Sequence, residues 1–208
     1  MSDFIHKLQQ KLQAPLPGRT AQLKMAPTSR RKYMAAPANA RQAGVMATLF
    51  PKNKEWHVVL IERNPNDRDT HGGQISFPGG KAEPHDGTML KTALRETEEE
   101  VGILQKEIKV LGKLSEVYIP VSNFNVYPFV GYLDFQPIYN IQEAEVYRVL
   151  EVPISHLKNE AAKQRTTDIP INKLLTLKNI PFYEVENKTL WGATAMMLSE
   201  LLELTGDG

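Results

Sequence analysis

Three glutamates near the middle of this chain are spaced so that their carboxylates converge. Glu96, Glu99 and Glu100 follow the glycine pair Gly79-Gly80, and in a helix positions i, i+3 and i+4 share one face. Hard oxygen ligands that leave room for water and phosphate are the kind that Mg²⁺ or Mn²⁺ prefers. The spacing therefore predicts a divalent-metal site.

An ordinary solvated helix face is the alternative interpretation of such a charge run. Glu96 and Glu100 form a like-charge pair at i,i+4, which destabilises an isolated helix. Negative charge in the last turns of a helix also opposes its dipole, at about 0.3–1 kcal/mol per charge. Helix stability alone does not favour this arrangement, so we interpret it as functional.

The helix that carries these glutamates has recognisable ends and a second, apolar face. Asp86 or Thr88 can cap its start, and Gly102 stands where a left-handed C-cap is expected. The apolar stripe has helical spacing and consists of Leu90, Leu94, Thr97 and Val101. We expect one face of this helix to pack on the core while the other is acidic.

The remaining pattern predicts a mixed sheet with helices on both faces. Strand-like runs occur at residues 44–50, 57–62, 74–77, 108–114, 126–133, 147–152 and 181–185. A long helix is predicted at residues 192–204, and Met196-Met197 is expected to fill core space. Residues 1–42 are expected to form an amphipathic helix and a connection over the surface, packed on a domain of residues 43–208.

Composition excludes several classes of protein. The 208 residues are 41% hydrophobic, which suits one domain with a sizeable core. A net charge of +1 with dispersed basic residues gives no footprint for nucleic acid or an anionic membrane. The absence of cysteine excludes disulfides and cysteine zinc sites, and no run is long enough to span a membrane. We expect a cytoplasmic protein.

Around the glutamates, the chain resembles the Nudix hydrolases, whose signature is G-x5-E-x7-R-E-U-x-E-E-x-G-U with U apolar. The second half matches at Arg95, Glu96, Glu99, Glu100, Gly102 and Ile103, with Thr97 in the first apolar slot. In the first half, Asp86 occupies the Glu slot counted from Gly80, and eight residues rather than seven separate it from Arg95.

The flanks are similar to the coenzyme A pyrophosphatase branch of that family, whose signature is L-L-T-x-R-[SA]-x3-R-x3-G-x3-F-P-G-G. The match includes Arg63, Arg68, Gly73 and the run Phe77-Pro78-Gly79-Gly80. It departs at Ile61 in the Thr slot, at Asn64 in the Ser/Ala slot and in a gap one residue longer before Gly73. Segments 122–128, 145–154 and 191–195 also look like branch features.

The resemblance implies an α/β fold of the Nudix type, an α/β/α sandwich around a central mixed sheet. It implies Glu96, Glu99 and Glu100 as ligands of Mg²⁺ or Mn²⁺, with a further ligand from the carbonyl of Gly80 or its neighbour Gly79. Arg95 is expected to pair with a glutamate and hold the loop.

The remaining candidate residues lie outside the glutamate helix. The general base is either Glu99 or Glu145, with Glu143 as the second choice to Glu145, so the predicted catalytic set is Glu99, Glu145 and Arg95. Arg63 and Arg68 are candidates for phosphate contact, because guanidinium groups match phosphate bidentately; surface salt bridges are the alternative. Phe124 is a candidate to line a pocket for adenine or pantetheine.

Three functions fit these residues. The first is metal-dependent hydrolysis of coenzyme A or its derivatives to 3′,5′-ADP and 4′-phosphopantetheine. The second keeps the chemistry but acts on ADP-ribose, NADH or a dinucleoside polyphosphate. The third is a Nudix-fold binding module without catalysis, which the intact glutamates disfavour. The expected partner is a small coenzyme A-like nucleotide, and branch analogy adds a homodimer through the N-terminal segment.

Overall fold

A computed structural model of the protein describes residues 2–27, 35–65, 72–170 and 176–206. Its α-helices are α1 (Ser2–Gln13), α2 (Gly18–Gln22), α3 (Met89–Val101), α4 (Ile154–Lys163) and α5 (Gly192–Leu204). The first strands are β1 (Arg41–Lys52), β2 (Glu55–Arg63), β3 (Ile75–Ser76), β4 (Gly79–Lys81), β5 (Lys109–Lys113) and β6 (Val117–Ile119). The later strands are β7 (Phe124–Tyr132), β8 (Val146–Pro153), β9 (Thr166–Pro170), β10 (Thr176–Pro181), β11 (Tyr183–Val185) and β12 (Lys188–Leu190).

The central sheet is mixed, as predicted. Strand β1 lies parallel to β7 along most of its length and antiparallel to β2 at its C-terminal end. At its N-terminal end β1 pairs with β4 instead, while β2 pairs with β3 and, on its other side, with β8. Residues 75–81 therefore cross between the diverging strands β2 and β1, and they bring Gly79 and Gly80 to the middle of the sheet.

Two hydrophobic cores lie on opposite faces of this sheet. Successive strand residues point to opposite faces, so Val58 and Leu60 of β2 enter one core while Val59 and Ile61 enter the other. Helices α1, α4 and α5 contribute to the first core, and α3 contributes to the second. This layering confirms the predicted α/β/α architecture.

Helix α3 lies unusually close to β1. A Cβ on Gly44 of β1 would come within 2.4 Å of the Met89 carbonyl oxygen and 2.9 Å of the Ala93 nitrogen, so only glycine permits this approach. Of the two candidate caps, Thr88 is the N-cap, and its hydroxyl accepts a hydrogen bond from the Lys91 amide at 3.3 Å. Gly102 ends the helix in the left-handed conformation, as predicted.

The N-terminal connection differs from its predicted surface position. Within the described part, α2 and the turn after it are packed inward, with Ala21, Gln22, Met25 and Ala26 buried. The predicted amphipathic helix is α1, which buries Ile5, Leu8 and Leu12. Residues 28–34 of the connection lie outside the described residues.

Helix α4 was not predicted, because its inward face is not uniformly apolar. Ile154 and Leu157 are buried, but the next inward position holds Glu160, which is also buried. The predicted strand at residues 181–185 is split between the end of β10 and β11. Helix α5 occupies the predicted residues 192–204, and both Met196 and Met197 are buried in the core as expected. Across the four described ranges, no helix has the length and apolar character needed to cross a membrane.

Candidate active site

Glu100 lies at the centre of the candidate site, and its side chain is only 2% exposed. Its Oε2 accepts a hydrogen bond from the Gly79 amide at 2.8 Å, and its Oε1 accepts one from Arg63 Nη1 at 3.3 Å. The expectation of separate buried and acidic faces on α3 is therefore wrong at this position. The register of α3 turns Glu100 inward beside Val101, against the segment that crosses between β2 and β1.

Glu96 lies one turn earlier and contacts the second glycine of the pair. A Cβ on Gly80 would come within 2.4 Å of Glu96 Oε2, so a side chain at this position would displace the carboxylate. The absence of a side chain is what lets backbone and carboxylate approach each other here. The structure thus brings Glu96, Glu100 and the two glycines together at one end of β4.

Arg95 connects this group to Asp86, whose role the sequence left open. Arg95 Nε donates to Asp86 Oδ1 at 2.8 Å and Nη2 donates to Oδ2 at 3.1 Å, a bidentate pair. Arg95 Nη2 also lies 2.9 Å from Glu96 Oε1, and Nη1 donates to Glu99 Oε2 at 2.8 Å. Arg95 is therefore positioned by Asp86 and orients Glu96 and Glu99.

Asp86 is buried and receives further hydrogen bonds from the Glu83 amide and the Thr92 hydroxyl, each at 2.8 Å. The hydrogen bonds from Arg95 hold the pKa of Asp86 well below its ordinary value, and Asp86 in turn raises the pKa of Arg95. The signal that could have identified this partner is its place in the Glu slot of the signature. The extra loop residue obscured it.

Glu145 lies in the turn that precedes β8, and its residue is exposed. Its main-chain carbonyl accepts a hydrogen bond from the Asn64 amide at 2.8 Å. Burial is the main cause of the raised pKa of Glu96 and of Glu100, and the neighbouring charge of Glu145 raises both further. The structure therefore places Glu145 at the edge of the glutamate group. The second candidate, Glu143, contacts Asn64 through its carbonyl oxygen.

The pKa values of the glutamates reflect burial and neighbouring negative charge. Burial raises the pKa of Glu100 to about 8, and repulsion from Glu96 and Glu145 adds to it, while the Gly79 amide and Arg63 oppose it. Burial likewise raises the pKa of Glu96, with Arg95 opposing. Glu99 differs in that its side chain is 57% exposed.

The remaining predicted residues lie at different places. Arg63 is ion-paired with Glu100 inside the site rather than in a surface salt bridge. Arg68 lies outside the described residues. Phe124 packs against the core on the face opposite α3, with the Arg41 guanidinium 4.0 Å from its ring centroid. The structure therefore does not bring Phe124 to the glutamates.

The donor set fits a divalent cation by its chemistry. Its side chains are carboxylates, and the backbone of Gly79 and Gly80 lies directly against Glu100 and Glu96. Among the described residues, no three acidic or histidine side chains are gathered around a single ligating point. Arg95 contacts Glu96 and Glu99 together in this arrangement.

The chain is similar to known proteins over almost its whole length. The NUDIX domain family model matches residues 40–168. The Uncharacterized Nudix hydrolase NudL of Yersinia pestis (strain Pestoides F) is 31% identical over 204 residues, covering 98% of this chain and 94% of that protein. The protein of the same description from Photorhabdus laumondii is 29% identical over 203 residues, covering 98% and 96%.

A solved Nudix hydrolase from Alicyclobacillus acidocaldarius has the same fold, with a TM-score of 0.50 and 18% identity over 60% of this chain and 84% of that one. The chain belongs to the Nudix hydrolase family. Members of this family are enzymes that act on nucleoside diphosphate derivatives, generally with divalent metal ions.

Proposed function

We propose that this protein hydrolyses the pyrophosphate bond of coenzyme A or its derivatives, giving 3′,5′-ADP and 4′-phosphopantetheine or its acyl form. The proposal requires Mg²⁺ or Mn²⁺. The observation that carries the chemistry is Glu100, a buried carboxylate held between the Gly79 amide and Arg63 and flanked by Glu96 and Glu145. An acid buried among other acids costs stability, which favours a catalytic role over a structural one.

In this proposal, the metal would be held by Glu96, Glu99, Glu100 and the Gly80 carbonyl. Bound divalent ions supply neutralisation of the phosphates and lower the pKa of a water molecule. Glu99 or Glu145 accepts the proton of the attacking water, since both carboxylates are exposed enough to reach it. Arg95 acts as a positioning residue through its hydrogen bonds with Asp86.

We assign phosphate contact to Arg63 and Arg68, which both belong to the signature of the coenzyme A pyrophosphatase branch. Arg63 already faces the site, and a substrate phosphate would offer its guanidinium an anionic partner additional to Glu100. Phe124 packs on the face of the sheet opposite α3, away from the glutamates. Its proposed role is therefore limited to contact with the part of the substrate farthest from the pyrophosphate.

The coenzyme A assignment rests on sequence features around this site. Arg63 and the Phe77-Pro78-Gly79-Gly80 run belong to the branch signature, and Glu100 binds directly to two of these residues. Residues of the branch signature thus contact Glu100 of the candidate active site directly. This supports a substrate of that branch over ADP-ribose, NADH or a dinucleoside polyphosphate.

The test is turnover by the purified protein with Mg²⁺ or Mn²⁺ and, separately, coenzyme A, ADP-ribose, NADH and diadenosine polyphosphates, with products resolved by chromatography. Glu100→Gln should abolish hydrolysis. The matched control is Glu98→Gln on the same helix, whose carboxylate accepts a hydrogen bond from the Gln105 amide at 3.4 Å, away from the glutamate group; it should leave turnover unchanged.

Release of 3′,5′-ADP from coenzyme A at the highest kcat/KM, lost in Glu100→Gln alone, is the expected result. A higher kcat/KM for another substrate would overturn the coenzyme A assignment while retaining the site. Equal activity in Glu100→Gln and wild type would overturn the assignment of the site itself.

A further inference from the structure

The turn that carries Glu145 is tied to the two elements that frame the glutamate group. At its start, the Gln142 amide donates to the main-chain carbonyl of Glu100 at 3.0 Å. The Gln142 carbonyl in turn accepts hydrogen bonds from the amides of Glu145 and Val146, each at 2.9 Å, which closes the turn. The base of the turn is therefore attached to the C-terminal end of α3.

The other attachment is Asn64, which directly follows Arg63 at the end of β2. Its main-chain amide donates to the Glu145 carbonyl at 2.8 Å, and its side-chain Nδ2 donates to the Glu143 carbonyl at 2.7 Å. Any residue except proline at position 64 could donate the first of these hydrogen bonds. The second needs a side chain with an N–H donor of this length, and Asn64 stands where the branch signature has Ser or Ala.

Consecutive residues of β2 and its extension thus contact two acids of the site. Arg63 contacts Glu100 through its side chain, and Asn64 holds the backbone on both sides of residue 144. A turn held at two carbonyls loses backbone freedom, so the position from which the Glu145 side chain extends is restricted. An exposed acid such as Glu145 has little packing of its own to provide that restriction.

We infer that Asn64 is a positioning residue that holds Glu145 beside Glu96 and Glu100, and that its side-chain amide thereby contributes to metal binding and turnover. The inference rests on the role proposed for Glu145, but not on the identity of the substrate. Asn64 acts only through Glu145, so removing its amide should matter only while the Glu145 carboxylate is present.

A double-mutant cycle with Asn64→Ala and Glu145→Gln tests this. The readouts are the Mn²⁺ dissociation constant from calorimetry and kcat on the substrate turned over fastest. Loss of one hydrogen bond of about 1 kcal/mol predicts about a fivefold weaker Mn²⁺ affinity or lower kcat for Asn64→Ala. In the Glu145→Gln background, Asn64→Ala should change neither quantity.

The control is Gln136→Ala in the same connection between β7 and β8, which removes an exposed amide bound to Glu151 and should change neither readout. Equal effects of Asn64→Ala with and without the Glu145 carboxylate would overturn the inference, as would a Glu145→Gln variant with unaltered Mn²⁺ affinity and kcat. If the effect of Asn64→Ala depends on the Glu145 carboxylate but coenzyme A is not hydrolysed, the inference is supported and the proposed substrate is overturned. If coenzyme A is hydrolysed but the effects of the two substitutions are independent, the proposed substrate is supported and the inference is overturned.

Discussion

At the scale of single residues, the arrangement depends on one arginine that contacts three carboxylates of different exposure. Asp86 is almost fully buried, Glu96 is largely buried and Glu99 is mostly exposed. Hydrogen bonds between charged groups stabilise more when water is excluded, whereas exposed ion pairs contribute about 0–1 kcal/mol. The pair with Asp86 therefore fixes Arg95, and the contact with Glu99 leaves that carboxylate free to change partners.

Asp86→Asn should lower the free energy of unfolding by about 2 kcal/mol, because it removes the charge that holds Arg95 and keeps the shape. Urea unfolding with a chelator present measures this. The control is Glu99→Gln, which breaks an exposed contact with the same arginine and should cost less than about 1 kcal/mol. Equal losses in the two variants would show that Asp86 does not anchor Arg95.

At the scale of elements, α3 can present its glutamates to β4 only because it lies directly on β1. The two nearest atoms that a Cβ on Gly44 would meet belong to the helix backbone, which cannot rotate away as a side chain can. Any added atom there must move the whole helix.

Gly44→Ala should lower the free energy of unfolding by about 1–3 kcal/mol and reduce turnover, because the helix and its glutamates shift away from Gly79 and Gly80. Thermal unfolding and kcat measure the two effects. Gly206→Ala is the control, since its Cβ would meet nothing closer than 3.4 Å and should change stability by less than about 0.5 kcal/mol. A Gly44→Ala variant of unchanged stability would contradict the close packing.

A buried acid stabilises helix α4, and its hydrogen bonds predict that the free energy of unfolding depends on pH. Glu160 accepts hydrogen bonds from Lys163 at 2.5 Å, from Arg165 at 3.3 Å and from the Glu184 amide at 3.1 Å. Burial acts to raise the pKa of Glu160, but these donors outweigh it and hold the pKa below its ordinary value. A carboxylate with a depressed folded pKa stabilises above its unfolded pKa and loses that contribution as the pH falls through the folded value.

Glu160→Gln should therefore cost about 2 kcal/mol of unfolding free energy at neutral pH, and the gap to wild type should close as the pH falls below 4.5, the ordinary pKa of a glutamate. Urea unfolding over this range measures it. Glu184→Gln, which loses only a half-exposed contact with Arg165, should show less than about 1 kcal/mol at any pH. A gap for Glu160→Gln that is independent of pH would contradict the assignment.

At the scale of the whole molecule, helices α1 and α5, which are far apart in sequence, pack in the same hydrophobic core. The buried side of α1 packs with α5 and β5, and Lys11 of α1 donates to the Gly206 carbonyl just after α5. Lys158 of α4 donates to the Thr205 carbonyl at 2.8 Å, so two cations cover the C-terminal end of α5. We therefore expect α1 to unfold together with the catalytic domain.

Leu8→Ala should destabilise the protein by about 2–4 kcal/mol in a single transition, because Leu8 is 1% exposed and its removal leaves a cavity. Calorimetry measures both the size of the loss and the number of transitions. Gln10→Ala, on the exposed side of the same helix, should have almost no effect. A separate early transition for α1 would show that the N-terminal segment is an appendage.

The sequence by itself determined the features that depend on local spacing. Residue types and their intervals predict the glutamate helix with its Gly102 end, the strands of the central sheet, helix α5 and the family. Only the tertiary structure decided which contacts those elements make. Burial of Glu100, the pairing of Asp86 with Arg95, the packing of α2 and the attachment of the Glu145 turn by Asn64 join residues distant in sequence or depend on an exact helix register. Their partners are selected by three-dimensional packing, which local periodicity does not encode.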